Sequence, residues 1–196
     1  PTIDRFNFTT TSAGRFTMTQ TADGPTGFAN CMKLDCTTAD TSIAAGEDII
    51  LSQAIEGQDL QQLKKGTSDA EKITLSFYVK GNANAAYSVE IYDGTNDRRI
   101  GQTFSVTTDW TRVILTFPAD TTGALADSNA AGLYINWWLH AGATFTGGTF
   151  STAWAAQTAN QRAGNTTSLL DSTNRTFFLT GVQLEVGSQA TPFEHR

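Results

Sequence analysis

The stretch ITLSFYVKG at residues 73–81 decides the fold class, because apolar and polar side chains alternate along it. Successive side chains of a β-strand point to opposite faces of a sheet, so this alternation gives the strand one apolar face. The same period of two recurs in YSVEIY at residues 87–92, TRVILTF at 111–117, LYINWWLH at 133–140 and FFLTGVQLEV at 177–186. The pattern predicts a sandwich of two antiparallel sheets, each with one buried face.

Shorter patterns on either side of these segments complete the prediction. Further strands are predicted at Arg5–Phe8, Arg15–Thr21, Asn30–Asp35, Ile49–Ile55 and Ile100–Val106. A single surface helical turn is predicted at Gly57–Lys65, because Leu60 and Leu63 are three residues apart. We therefore expect an all-β fold with less than about 10% helix.

The predicted core is made of the apolar members of the strand patterns. In the last strand, the spacing places Phe178, Val182, Leu184 and Val186 on one face. The other predicted core residues include Leu75, Phe77, Val113 and Leu115, with Trp110 and Trp137 in the core or at its edge.

The segment Ala141–Thr176 breaks the strand rhythm. It is rich in Ala, Gly, Thr and Asn, and its large apolar anchors are Phe145, Phe150 and Trp154. One short helix is expected within Ser151–Arg162 from near-helical spacing. A connection this long in a compact domain either has a function or packs against a partner.

Composition excludes several classes of function. The chain has 196 residues, which suits a single domain over residues 1–196, and its start at Pro1 predicts a piece of a longer chain. Its net charge is −6 and its longest basic cluster is Lys64-Lys65, whereas nucleic-acid binding needs clustered Lys and Arg. No apolar run approaches the ~18 residues of a membrane-spanning helix. We therefore predict neither nucleic-acid nor membrane binding.

Cysteine and histidine positions give no sign of a bridge or a metal site. Cys31 and Cys36 lie on one predicted strand and would point to opposite faces, so a direct disulfide would need a tight turn between them. We expect two buried thiols in a chain that folds in a reducing cytoplasm. His140 and His195 lack the spacing of zinc ligands, so the sequence predicts no metal site.

Motifs for catalysis are missing from the sequence. The nucleophile elbow, the P-loop and the dinucleotide fingerprint are absent. Carboxylate pairs such as Asp93 and Asp97 fall in predicted turns, where Asp is favoured for its local hydrogen bonds. We therefore predict that the chain is not an enzyme.

Three strand sequences resemble the jelly-roll, galactose-binding-like architecture of carbohydrate-binding modules. They are ITLSFYVKG (Ile73–Gly81), TDWTRVILTF (Thr108–Phe117) and FLTGVQLE (residues 178–185). The stretch IEGQDLQQLKKG (Ile55–Gly66) and the closing GVQLEVGSQATPFEHR (residues 181–196) are similar to segments of bacteriophage structural and tail-fibre proteins. The resemblance covers most of residues 49–196.

This resemblance implies a virion structural protein of a tail fibre, appendage or capsid surface. Such a protein would assemble in the host cytoplasm as a homo-oligomer with other virion proteins, and would attach to host-surface glycans. Two alternatives stay open: a decoration or anchoring module without a ligand, and the accessory carbohydrate-binding module of a polysaccharide-degrading enzyme. Jelly-roll modules often hold a structural calcium, for which Asp4, Asp35 and Glu185 offer oxygen ligands. No other cofactor is implied.

The candidate ligand-binding residues belong to the mixed aromatic and polar faces of the strands. They are Trp138, Tyr134, Asn136, Tyr78, Tyr92 and Arg112. Aromatic rings stack on the apolar face of a sugar, and amide or guanidinium groups bind its hydroxyls. With the strand pairing that the resemblance implies, we expect one glycan-binding surface centred on Trp138. Alternatively, the segment Ala141–Thr176 covers these aromatic rings or contacts another subunit.

Overall fold

The computed structural model describes residues 6–164 and 167–195, which form a β-sandwich. The strands are β1 (Phe6–Thr10), β2 (Phe16–Thr21), β3 (Cys31–Cys36), β4 (Asp48–Glu56), β5 (Ile73–Gly81), β6 (Ala85–Asp93), β7 (Arg98–Val106), β8 (Thr111–Phe117), β9 (Ala131–Ala141), β10 (Ala155–Ala156) and β11 (Thr176–Val186). The helical elements described are the 3₁₀ turns Gly57–Leu63 and Ala159–Gln161 and the short helix α1 (Ala143–Thr146). The all-β prediction is confirmed.

The strands pair into two antiparallel sheets, in the jelly-roll arrangement expected. Sheet A has six strands in the order β1-β4-β9-β6-β7-β10, and sheet B has five in the order β2-β3-β11-β5-β8. Strands that are neighbours in a sheet are mostly distant in sequence, as with β4 and β9. Within the described ranges, no helix is long and apolar enough to span a membrane.

The core lies between the sheets and contains the side chains that the alternation placed there. Phe77 of β5 is fully buried, and its ring makes edge contacts with Phe104 at 5.1 Å and Trp137 at 5.7 Å between centroids. Such perpendicular aromatic pairs add to the stabilisation from burial alone. Most predicted core residues are confirmed: Leu75, Phe77, Leu115 and Trp137 are buried, and Val113, Val182 and Leu184 pack against the core. Trp110 is an exception, because it lies outside the core, where its ring contacts Phe178.

A β-bulge in β11 corrects the prediction that Phe178 shares a face with Val182 and Leu184. The register with β5 shifts between Thr180 and Gln183, so two residues of β11 oppose one residue of β5. Gly181 in the bulge has φ of +58°, a conformation that favours glycine. The extra residue reverses the alternation, so Phe178 packs outside sheet B against Trp110, whereas Val182 and Leu184 face the core.

The predicted helix within Ser151–Arg162 is wrong except for the single turn Ala159–Gln161. Instead, Ala155 and Ala156 pair with Arg99 and Arg98 along the free edge of β7. The Trp154 indole NH donates to the carbonyl oxygen of Pro118 at 2.8 Å. Hydrogen bonds to the edge of the sheet and to a neighbouring loop therefore replace those of a helix.

Both cysteines are buried free thiols, as predicted. Cys36 lies in the core, and the Cys31 thiol contacts the carbonyl oxygen of Asp23 at 3.3 Å on the other side of β3. Burial raises the pKa of both thiols above the usual value, which keeps them protonated and unreactive.

Candidate functional site

The structure separates the six predicted ligand-binding residues onto two opposite faces of the sandwich. Tyr92, Tyr134, Asn136 and Trp138 belong to β6 and β9 and lie on the outer face of sheet A. Tyr78 and Arg112 are cross-strand partners on β5 and β8 in sheet B. The expectation of a single surface is therefore wrong. Alternation along a strand fixes which side chains share a face but not the sheet to which the strand belongs.

The outer face of sheet A is organised around the fully buried carboxylate of Glu90. It accepts hydrogen bonds from the Asn136 amide at 3.0 Å and from the Trp138 indole NH at 3.4 Å. The Asn136 oxygen in turn accepts a 2.6 Å hydrogen bond from the Ser52 hydroxyl. Because both ends of the Asn136 amide are held, its orientation is fixed in this chain of hydrogen bonds.

Arg162 completes this network and was missed as a site residue from sequence. Its guanidinium donates to both oxygens of Glu90, at 3.1 Å from Nε and 2.8 Å from Nη2. Burial alone would lower the pKa of Arg162, but the bonds to Glu90 outweigh it and raise the pKa. An arginine in a charge-poor segment and a glutamate within a strand pattern are the sequence signals that would have indicated this pair.

Trp138 is not a surface residue, which corrects its place at the centre of the predicted site. Its side chain is 0% exposed and packs with Ile50 and Ala163. The ring of Phe145 in α1 lies 5.0 Å from it, and the Arg162 guanidinium lies 4.9 Å above it. The segment after β9 thus covers Trp138, as the alternative interpretation expected, and a sugar has no face of this ring on which to stack.

An open cleft of about 360 Å³ remains beside this cover, on the same face of sheet A. Its lining mixes aromatic rings, amides, hydroxyls and one guanidinium: Asn7, Thr9, Ile50, Ser52, Tyr92, Gly94, Tyr134, Asn136 and Arg162. The rings of Tyr92 and Tyr134 are 5.9 Å apart and tilted by 33°, and both are partly exposed. The structure therefore brings three of the six predicted residues together in one cleft.

The hydroxyl of Tyr92 is fixed at the rim of the cleft. It donates a 2.9 Å hydrogen bond to Asp97. Burial, and then this bond, raises the pKa of Tyr92 to about 12. The phenol is therefore neutral at ordinary pH. Its ring remains an uncharged, oriented surface, as stacking against a neutral ligand requires.

On the outer face of sheet B, Tyr78 and Arg112 contact the C-terminal segment of the chain. Arg112 donates to the Ser76 hydroxyl at 3.0 Å and to the carbonyl oxygen of Thr191. The Tyr78 ring lies 5.1 Å from Phe28, which also contacts Phe193 at 4.9 Å. These residues therefore hold residues 191–193 against the sheet.

A second cavity of about 300 Å³ lies at one open end of the core. None of its lining residues is charged. The lining combines apolar side chains with polar ones: Phe6, Met32, Leu179, Val182 and Phe193 with Gln20, Asn30, Gln53 and Thr180. It contains none of the predicted residues. The cleft on sheet A differs from this cavity in its two tyrosine rings and its guanidinium.

Asp35 and Glu185, two of the three residues suggested for calcium, do not come together. Asp35 is paired with Thr176 at the start of β11, whereas Glu185 lies near the other end of that strand. Asp35 contacts Lys33 at 2.9 Å, and Glu185 accepts hydrogen bonds from Thr191. Asp4 lies outside the described residues. Since strand residues rise by about 3.3 Å each, Asp35 and Glu185 are too far apart to share one ion.

The fold is similar to solved carbohydrate-binding modules. The C-terminal family 22 carbohydrate-binding module of Clostridium thermocellum Xyn10B matches with a TM-score of 0.50 and 8% identity over 97% of this chain and 91% of that chain. A CBM4 structure matches with a TM-score of 0.47 and 16% identity, covering 92% and 86%. The enzymatically active domain of bacteriophage CBA120 tailspike protein 4 matches with a TM-score of 0.49 and 13% identity, covering 94% of this chain and 20% of that chain. No protein-family model and no curated protein sequence matches.

Proposed function

We propose that this chain is a non-catalytic carbohydrate-binding domain whose ligand lies in the cleft on sheet A. The observation that carries the proposal is the cleft itself, in which Tyr92, Tyr134 and Asn136 converge. In the family 22 module with the same fold, amino acids in the cleft have a role in ligand binding. An open groove with aromatic and amide groups on a rigid sheet is a suitable site for a short stretch of sugar residues.

The charges of the site favour a neutral glycan. Arg162 is the one cation among the lining residues of the cleft, and both oxygens of Glu90 already accept its hydrogen bonds. A sugar carboxylate would have to compete with Glu90 for this guanidinium. Hydroxyl groups instead match Asn136, Ser52 and Thr9, which can donate or accept hydrogen bonds.

Affinity per site is expected to be modest. A shallow cleft with two tyrosine rings suits a dissociation constant between about 1 mM and 1 μM, or roughly 4–8 kcal/mol. Several copies on one particle would raise the apparent affinity without any new contact.

The test is a glycan array followed by titration of the best ligand. Replacing Tyr134 by Ala should weaken binding about tenfold, because one stacked ring contributes about 1.4 kcal/mol. Asn136→Ala should weaken it similarly by removing the fixed amide. The matched control is Tyr78→Ala, which removes the same side chain from the opposite sheet and should leave affinity unchanged. If the control weakens binding and Tyr134→Ala does not, the site lies on sheet B.

We further propose that the domain belongs to a bacteriophage virion protein and functions as a homo-oligomer with other virion proteins. This proposal is supported by the resemblance of IEGQDLQQLKKG and GVQLEVGSQATPFEHR to phage structural proteins. Mass spectrometry of purified virions carrying the gene should detect the protein, and native mass spectrometry should give its oligomeric state. Its presence beside a catalytic domain in a secreted enzyme would instead favour the accessory-module alternative.

A purely structural role is the second candidate, and one observation favours it. The segment after β9 lies over Trp138, the largest ring on the outer face of sheet A, as a packing element would. An assembly module should bind no sugar on the array. Substitutions in this segment should instead change its oligomeric state.

A further inference from the structure

We propose that Asp40, Glu47 and His140 form a binding site for a divalent transition-metal ion of the zinc type. Their ligand atoms all lie within 4.8 Å of one another. Asp40 follows β3, Glu47 immediately precedes β4, and His140 lies near the end of β9, where it pairs with Ile49. The site uses no residue of the cleft on sheet A, so it does not depend on the proposed carbohydrate binding.

The imidazole of His140 is directed into the cluster. The side chain is 0% exposed, and its Nδ1 lies 2.7 Å from the Ser168 hydroxyl. Its Nε2 has no hydrogen-bond partner and lies 3.9 Å from Glu47 Oε2, beyond hydrogen-bonding distance. A buried polar atom without a partner is destabilising, and a metal ion would satisfy it. A ring held at one nitrogen with the other free to coordinate is the usual arrangement of a metal-bound histidine.

The two carboxylates are held in place by the backbone. Asp40 Oδ1 accepts the amide NH of Ser42 at 2.9 Å, and Glu47 Oε2 accepts the amide NH of Ala44 at 2.7 Å. Two like charges fixed this close repel each other, so a cation between them is favourable. In the structure, the Arg15 guanidinium offsets part of this repulsion, because its Nη1 lies 2.8 Å from Asp40 Oδ2. The Arg15 side chain is 37% exposed, so solvent can hydrate its guanidinium when a metal ion replaces it at Asp40.

The set of donor atoms selects the kind of ion. One imidazole nitrogen and two carboxylate oxygens suit Zn²⁺, whereas Ca²⁺ prefers six to eight oxygen ligands. Bonds of about 2.1 Å place tetrahedral ligands about 3.4 Å apart, so the cluster must contract by roughly 1 Å on binding. Glu47, at 22% exposed, has room for this movement. Three protein ligands leave a fourth position for water.

The test is calorimetric titration of the EDTA-treated full chain with Zn²⁺, with thermal unfolding measured alongside. Wild type should bind one ion per chain and melt at a higher temperature with zinc. Glu47→Gln and Asp40→Asn should each weaken binding roughly tenfold or more, since even loss of an outer-shell partner has that effect. Arg15→Gln should strengthen binding severalfold, because it removes a competing cation without touching a ligand.

His195→Ala is the matched control, because His195 is exposed at the other end of the chain and should not contribute. With Co²⁺ in place of Zn²⁺, visible absorption without a thiolate band should exclude Cys31 and Cys36 as ligands. Unchanged zinc affinity in both carboxylate variants, or its loss in His195→Ala, would overturn the proposal. Asp40 and Glu47 both lie in the connection between β3 and β4, and both substitutions keep the size of the side chain. Both variants should therefore fold, so that a change in zinc affinity reports on the site.

Discussion

The outer faces of the two sheets carry similar side chains but are covered in different ways. On sheet A, the segment after β9 buries Trp138 and contributes Arg162 to the buried Glu90, and an open cleft remains beside it. On sheet B, residues 191–193 lie along the strands and contact Arg112 and Phe28. An aromatic and polar face is therefore not by itself a binding site. What distinguishes sheet A is an internal loop that places only the Arg162 guanidinium over Tyr92, 5.7 Å from its ring, and leaves Tyr92 and Tyr134 partly exposed.

The ion pairs of the two faces give the largest expected contrast. Arg162→Met would leave the fully buried Glu90 without its cation, which should lower the free energy of unfolding by about 3 kcal/mol or more. Lys80→Met makes the same kind of change on sheet B, where the partner Asp23 is 50% exposed and can be solvated. That variant should lose no more than about 1 kcal/mol. Chemical denaturation of both variants measures the two free energies of unfolding. If Arg162→Met loses as little stability as Lys80→Met, the Glu90 carboxylate is solvated.

The segment after β9 on sheet A and residues 191–193 on sheet B should differ, by a smaller amount, in how much they shield a tryptophan ring. Phe145→Ala removes the ring that packs on Trp138, and should destabilise by about 1–2 kcal/mol while making Trp138 accessible to acrylamide. Phe193→Ala removes a partly exposed ring that packs on Phe28, not on a tryptophan. Acrylamide quenching of tryptophan fluorescence in Phe193→Ala should match that of the wild type. Increased quenching in the Phe193 variant alone would place the accessible tryptophan under the C-terminal segment.

The smallest effect concerns pH and rests on the proposed carbohydrate binding. Because burial and the bond to Asp97 raise the pKa of Tyr92 to about 12, its phenol stays neutral well above neutral pH. Glycan affinity should therefore change by less than about twofold between about pH 7 and pH 10, where an ordinary tyrosine begins to ionise. Titrations across this range measure it. A fall in affinity centred near the ordinary tyrosine pKa that disappears in Tyr92→Phe would show that Tyr92 is solvated in the bound state.

The sequence predicted the strands and their buried faces because a period of two is a local property of the chain. Leu75 and Phe77 needed only their neighbours in sequence to be assigned to the core. Pairing between strands is instead set by long-range contacts, and this is why Tyr78 was grouped with Tyr134. The sequence did not predict the bulge at Gly181 for a related reason. One inserted residue reverses the alternation without altering the composition of the strand.

Three of the six candidate residues lie together in the cleft, as the sequence predicted. The other three do not, and the causes are physical. Tyr92, Tyr134 and Asn136 could be grouped from sequence because their alternation places them on one type of strand face, and the structure brings them into one cleft. Trp138 was misplaced because the cover comes from a segment that has no strand or helix period of its own. The cluster of Asp40, Glu47 and His140 shows no ligand spacing in sequence, because folding brings its members together from three separate segments.

The bulge in β11 has a consequence for how this strand tolerates changes of length. Gly181 and Val182 together oppose Phe77, so deleting Gly181 leaves Val182 opposite Phe77 in an unbroken ladder with every remaining side chain on its present face. Adding a side chain at Gly181, by contrast, places a Cβ atom 2.7 Å from the ring of Phe28 and 3.0 Å from that of Tyr78. At this position we therefore expect the loss of a residue to disturb the sheet less than an exchange, which reverses the usual order of severity between deletions and substitutions in a central strand.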